Sequence, residues 1–213
     1  MAAFTIRNAT QDDFEQLYAF VFDKPDPNVL KRSREDVQRM IEAGVFFIGI
    51  DDNTRKIIAS CYVKADSAEE FEFGGAYVDT KYRMHGIFVA LGLAAIISHF
   101  LGQPDTPLIA HVVSRNNKPV KGLEKLKFKR TKVGERYHKS QLLGCEHMDL
   151  DAEGYLLGDT YEFQRNGLLE LARVAEGFSG YVDGEAGRSR LTIDLPTFDK
   201  ELLRSFRKSL EEE

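Results

Sequence analysis

Residues 83–88 read Arg-Met-His-Gly-Ile-Phe, between a strand-like run at 71–79 and a long apolar run that follows. A strand that feeds a short turn, which in turn opens a helix, leaves unpaired backbone amides and a partial positive charge at the turn. Gly86 permits close backbone approach and Arg83 adds a full charge, so a diphosphate is the natural ligand of such a turn. Groups able to move a proton lie elsewhere. Glu70 and Glu72 share one face if their strand alternates regularly. His111 sits in the apolar run 108–113; it is able to act as a base, but the reading preferred here is a hydrogen-bonded core histidine. His85 reads as a turn residue. Cys145 has no evident activating partner for nucleophilic work. It and Cys61, the two cysteines of the chain, read as buried small hydrophobes. No Cys pair has metal-site spacing, so no metal is expected.

The elements that must position these groups follow from pattern. A strand at 4–6 precedes a capping box of Thr10 and Asp13, which opens a helix carrying Phe14, Leu17, Tyr18 and Val21. Residues 23–28 form a loop, and Ser33 with Asp36 opens a second helix. Strands at 45–50 and 57–63 flank a turn. The strand at 71–79 holds Gly74-Gly75, which suggests a bulge or a close approach. A long helix at 86–101, a strand at 108–113, a short helix at 117–126 and strands at 128–137 and 143–150 follow. Beyond them a helix at 160–176, a glycine-rich loop at 177–187, a strand at 191–195 and a last helix capped by Thr197 or Asp199 are expected. The order β-α-α-β-β-β-α-β-α-β-β is an α/β arrangement with a mixed sheet.

Composition narrows the class. The 213 residues are 43% hydrophobic and 30% charged, as in a soluble globular chain. The net charge of −5 provides no global basic field for nucleic acid or anionic membrane. Residues 84–101 carry no Asp, Glu, Lys or Arg. His85, Gly86, Gly92, Ser98 and His99 interrupt them, which favours a helix packed across a sheet over a membrane span. The first residues lack the apolar stretch of a signal peptide, and the few cysteines suit a reducing compartment, so a cytoplasmic setting is expected. Residues 118–139 hold nine Lys or Arg and two acids, which read first as a solvated helix and edge strand.

The turn at 83–88 resembles the signature of the GNAT superfamily of acyl-CoA N-acyltransferases, Gln/Arg-x-x-Gly-x-Gly/Ala. Arg83 and Gly86 match, and Phe88 replaces the final small residue. A second stretch is similar to the family's Asn followed by a short helix ending near Tyr-x-Lys-Leu-Gly-Phe. Asn116, Lys125, Leu126 and Phe128 match; Leu123 stands for the Tyr and Lys127 for the Gly. The resemblance implies a GNAT fold, a mixed central sheet with flanking helices, over residues 1–151. Residues 152–213 are then a C-terminal α/β extension, serving as an acceptor-site lid or a homodimer element. It also implies transfer of an acetyl group from acetyl-CoA to a small-molecule amine or a protein amino group, by direct attack in a ternary complex, with no nucleic-acid partner. Arg83 and the amides of Met84, His85, Gly86, Ile87, Phe88 and Val89 would hold the pyrophosphate. Backbone groups of Tyr77 and Val78 would align the pantetheine arm, with the Val78 amide facing the oxyanion. Asn116 would contact the pantetheine or acyl region. Glu72, eleven residues before Arg83, is the implied base. Tyr137, His138 or Tyr161 would replace the missing Tyr as acid. The basic run 118–139 is the second candidate for a CoA phosphate contact. Phe88, Leu123 and Lys127 favour the alternative, a weak or inactive module that binds acyl-CoA or a protein partner.

Overall fold

The computed structural model describes residues 1–23, 26–67, 69–142 and 144–212. Among the described residues nine strands form one mixed sheet, in the order β6-β7-β5-β4-β3-β2-β1-β9-β8. The strands are β1 Ala3–Asn8, β2 Phe46–Asp51, β3 Ile57–Ala65, β4 Phe71–Val78, β5 Leu108–Val113, β6 Phe128–His138, β7 Tyr155–Phe163, β8 Tyr181–Gly184 and β9 Gly187–Asp194. The helices are α1 Phe14–Val21, α2 Arg34–Glu42, α3 Ile87–Gly102, α4 Val120–Lys125, α5 Leu168–Glu176 and α6 Lys200–Glu212.

Local signals set the helix starts. The Asp13 carboxylate accepts from the Thr10 amide and hydroxyl, and Ser33 Oγ accepts from the Asp36 amide at 3.0 Å. Asp199 accepts from the amides of Glu201 and Leu202, which settles the cap of α6 between the two candidates. α3 is apolar on nearly every side because it is covered on nearly every side. The sheet, α4 and α5 surround it, and Ala94, Ala95, Ile96 and Ile97 are fully buried. Among the described residues no helix is long and apolar enough to cross a membrane. α1 and α2 cover the opposite face, with Leu17, Val37 and Phe46 at the centre of a second core.

Two departures from regularity shape the sheet. β4 and β5 run parallel but pair only at Phe71–Leu108 and Glu72–Ile109, then part. β4 also bulges against β3 between Ser60 and Tyr62. There Gly75 adopts φ +57°, and the Tyr62 ring lies where a Cβ on Gly74 or Gly75 would stand, 2.6 and 2.5 Å away. The pair of glycines therefore makes the bulge expected of it.

Residues on both sides of the expected boundary at 151 join the one sheet, with β7 between β5 and β6 and β9 beside β1. Several expected elements need correction. The helix expected at 160–176 is α5 alone, starting at Leu168. Tyr161 belongs to β7, where both faces are covered and alternation is lost. Of the strand expected at 143–150, Leu143 lies outside the described residues and the rest is turn and coil, Cys145 included. The loop expected at 177–187 contains β8. Lys24 and Pro25 of the loop at 23–28 also lie outside the described residues. The strand β9 pairs parallel to β1, and the β8–β9 hairpin thereby forms one edge of the sheet. The other edge is β6, whose exposed basic residues fit the edge-strand reading.

Candidate active site

The parting of β4 and β5 opens a cleft that passes through the sheet. On the α3 side its walls are Phe73, Phe88, Ala110, Val112, Pro119 and Leu123; on the α1–α2 side they include Tyr62, Glu72, His111 and Tyr137. Alternation explains the division. In β5, residues 108, 110 and 112 join the core under α3, which turns His111 to the other face. His111 is exposed there and does not belong to the core, contrary to the preferred reading of it.

At the α3 end the turn has the expected form. Met84 and Gly86 adopt φ +72° and +76°, and Gly86 caps α3. The first helical hydrogen bond runs from the Ala90 amide to the Gly86 carbonyl, at 3.1 Å. The amides of Ile87, Phe88 and Val89 precede it and have no helical acceptor, so they supply the positive end of the helix. Arg83 Nε donates to the Val78 carbonyl at 3.1 Å, which ties the turn to the end of β4. The Asp79 amide donates to Ile58 of β3; alternation then turns the amide and carbonyl of Val78 away from β3, toward the cleft side. The Tyr77 ring packs edge-on against Phe20, 5.2 Å between centroids, and its backbone carries the adjoining position. These donors suit an anionic, strand-like ligand such as the diphosphate and arm of CoA.

The β8–β9 hairpin grips this turn. The Ala186 amide donates to the Met84 carbonyl at 3.0 Å, and His85 Nδ1 lies 3.1 Å from Ser189 Oγ. A Cβ on Gly86 would meet Val182 Cγ2 at 2.6 Å, and one on Gly184 would meet the Met84 carbonyl oxygen at 2.0 Å. The extension is thus a brace for the turn. Among the described residues none beyond Gly158 lines the cleft, so no described part of residues 164–212 covers it in this structure. That cover comes from Asn28, Val29 and Leu30 with Leu142 and Met148. His147 Nε2 links the two loops, 3.0 and 2.9 Å from the Asp26 and Val29 carbonyls.

Glu72 is buried at 8% exposure, and its Oε2 accepts from Arg32 Nη2 at 3.1 Å and pairs with Lys64 Nζ at 3.0 Å. Arg32 also donates to the Tyr62 hydroxyl, through Nη2 at 2.8 Å and Nε at 3.1 Å. Burial pushes the Tyr62 phenol up, so it stays neutral. His111 Nδ1 lies 3.2 Å from Thr160 Oγ1, and Thr160 Oγ1 donates to Glu135 Oε2 at 2.5 Å. The Tyr137 hydroxyl donates to the same oxygen at 3.0 Å. The hydroxyl of Thr160 first, and that of Tyr137 after it, hold the Glu135 carboxyl below the usual range.

Of the residues expected at the site, Glu72, Phe88 and Asn116 line the cleft; Tyr77, Val78 and the turn 83–89 adjoin it. The Phe88 ring rests on α4, where a Cβ on Gly122 would come within 2.4 Å of it. Leu123 lines the cleft beside it. Asn116 Oδ1 accepts from the Lys118 amide at 3.3 Å. Of the three substitute acids, Tyr137 lines the cleft, Tyr161 is buried in the core under α3, and His138 packs on Tyr155 outside the wall. Arg32, Tyr62, Glu135 and Thr160 were not anticipated. Only a pairing of β6, β7 and β5 brings the last two to His111, and nothing local in sequence announces that pairing. Among the described residues no cluster of His, Cys, Asp and Glu has the form of a metal site.

No family model and no curated protein matches the chain. Solved structures do match. A GNAT-family acetyltransferase from Bacillus cereus is 14% identical over 76% of this chain and 96% of that one, with a TM-score of 0.51. An N-acetyltransferase from Staphylococcus aureus is 13% identical over 76% and 98%, with a TM-score of 0.55. A NatC complex bound to Gag peptide and CoA contains a chain 15% identical over 74% and 97%, with a TM-score of 0.56. At such identities the likeness is one of fold.

Proposed function

Starting from a chain that has the GNAT fold, we propose an N-acetyltransferase that moves the acetyl group of acetyl-CoA to a primary amine by direct attack in a ternary complex. The observation that carries this reading is the cleft through the sheet. A pyrophosphate-type turn opens on one side of it, and proton-handling groups stand on the other. The free amides of Ile87, Phe88 and Val89, with Arg83, take the diphosphate. Tyr77 and Val78 present backbone to the pantetheine arm, Asn116 flanks it, and the Val78 amide faces the developing oxyanion. The acceptor amine enters from the α1–α2 side, where both reactants are held close.

His111 is the better-placed base, and Glu72, the base implied by the resemblance, acts mainly as an anchor. The support is geometric. Glu72 holds two cations and through Arg32 fixes Tyr62, whereas among the described residues no protein group hydrogen-bonds His111 Nε2. The amine nitrogen loses its proton to the base and forms the C–N bond; the C–S bond breaks and the thiolate is protonated, the acid being Tyr137 of the cleft wall, whose proton otherwise goes to Glu135. Loss of a general base costs about 10²–10⁴ in rate. His111→Gln is expected to lower kcat on that scale and to leave acetyl-CoA binding unchanged by calorimetry. Glu72→Gln is expected to affect KM for the amine more than kcat. The reverse pattern assigns the base to Glu72.

Phe88 and Leu123 support a second reading, a module that binds without turnover. Its test is titration with acetyl-CoA and CoA. Binding without acetyl transfer to any amine in a broad screen supports the module. Absence of binding that Phe88→Ala restores identifies the ring as what closes the cleft.

A further inference from the structure

The hydrogen-bond chain behind His111 settles which of its nitrogens carries a proton. Thr160 of β7 stands opposite His111 of β5 in register. On the other side of β7, β6 pairs Lys132 with Thr160 and then Glu135 with Gly158. Two residues of β6, Val133 and Gly134, there face the single residue Asp159, a bulge in which Gly134 adopts φ +63° and donates its amide to Asp159 Oδ1 at 3.0 Å. Such a bulge re-aims the side chain that follows it. It brings Glu135 to Thr160 and to Tyr137.

The donors can then be counted. A carboxylate only accepts, and a hydroxyl has one proton to give. Thr160 gives its proton to Glu135 at 2.5 Å. Toward His111 Nδ1 it is left with a lone pair, so Nδ1 must be the donor of that 3.2 Å contact. A neutral imidazole protonated at Nδ1 is bare at Nε2. The geometry points to Thr160 and Glu135 as positioning residues that lock His111 in the Nδ1–H form and keep Nε2 free as the proton acceptor in the cleft. This deepens the acetyltransferase reading and rests on it for the use of Nε2; the tautomer itself does not depend on it.

The test separates the two. Long-range ¹H–¹⁵N spectra of the full chain, labelled at histidine, report each ring's tautomer in the resting protein. They are recorded above the pH at which the ring loses its second proton, and His111 is assigned by its absence in His111→Gln. The expected wild-type pattern is a protonated Nδ1 and an unprotonated Nε2. Thr160→Val, which keeps the shape and removes the hydroxyl, is expected to shift His111 toward the Nε2–H form. It should also lower kcat at least tenfold with little change in KM for acetyl-CoA. Thr160→Ser is expected to restore both. An Nε2–H pattern in the wild type overturns the proposal, as does an unchanged tautomer or unchanged kcat in a folded Thr160→Val. A wild-type Nδ1–H pattern that responds to Thr160→Val, in a protein that transfers acetyl to no amine, leaves the lock standing and removes the acetyltransferase reading.

Discussion

Tyr62 shows how one side chain can hold a site open. Its ring occupies the space that two glycines leave in β4, its hydroxyl receives two donors from Arg32, and Arg32 in turn meets Glu72. Gly74→Ala puts a methyl 2.6 Å from that ring. Overpacking of this kind costs about 1–3 kcal/mol, so a lower urea midpoint is expected, together with weaker amine binding as Tyr62 and Arg32 are displaced. An unchanged midpoint would mean that the ring moves freely and anchors nothing. At this scale the sequence was readable where chemistry is local. Arg83 and Gly86 announced their turn, and the Gly74-Gly75 pair announced its bulge. The apolar run around His111 looks buried on both faces, and only the parting of β4 from β5 uncovers the face that carries it. Tyr62 and Arg32 gave no sign, since their meaning lies in contacts 30 residues apart in the chain.

Among the elements, the turn before α3 and the β8–β9 hairpin act as one unit. Gly184 lies against the backbone of Met84 and His85, so any side chain there must push the hairpin off. With the Ala186–Met84 hydrogen bond lost, the left-handed conformation at Met84 loses its support. Gly184→Ala is therefore expected to weaken acetyl-CoA binding by about fivefold or more, roughly 1 kcal/mol, in calorimetric titration, although residue 184 lies outside the cleft. Equal affinity in a folded variant would show that the brace is dispensable. Helix starts were the best-read elements, because Thr10, Ser33 and Asp199 carry their own caps. β7 was the worst. It is covered on both faces, so period-two alternation is missing, and the helical spacing of Leu168, Leu171 and Ala175 was extended back over it.

For the molecule as a whole, acid is expected to be the weak point well above the carboxylate range. Burial holds His99 down to about 4, against an ordinary value of 6.5; it packs on Phe71 and Phe100 and bonds Thr106. A histidine whose folded value is depressed favours the native state fully above its unfolded value. That advantage declines as the pH falls through about 6.5 and is spent near about 4. Burial also opposes ionisation of Asp159, but Ser114, the Gly134 amide and Arg130 outweigh it and hold the carboxyl below its usual range, so its loss comes only at lower pH still. Urea midpoints are expected to decline in two stages, and His99→Gln should flatten the first; a flat profile from pH 7 to 4.5 would contradict this. The order of elements foretold the central sheet, but the seat of β9 beside β1 was not legible, because no local pattern specifies a partner from the far end of the sequence. That seat has a consequence for how the protein is made. Synthesis delivers β1 well before β9, so β1 waits with one edge bare until residues 187–194 emerge. The same late segment carries the brace on the turn before α3. During its own translation the protein is thus both open to stray strand pairing and without the brace on the turn before α3, and the two conditions end together.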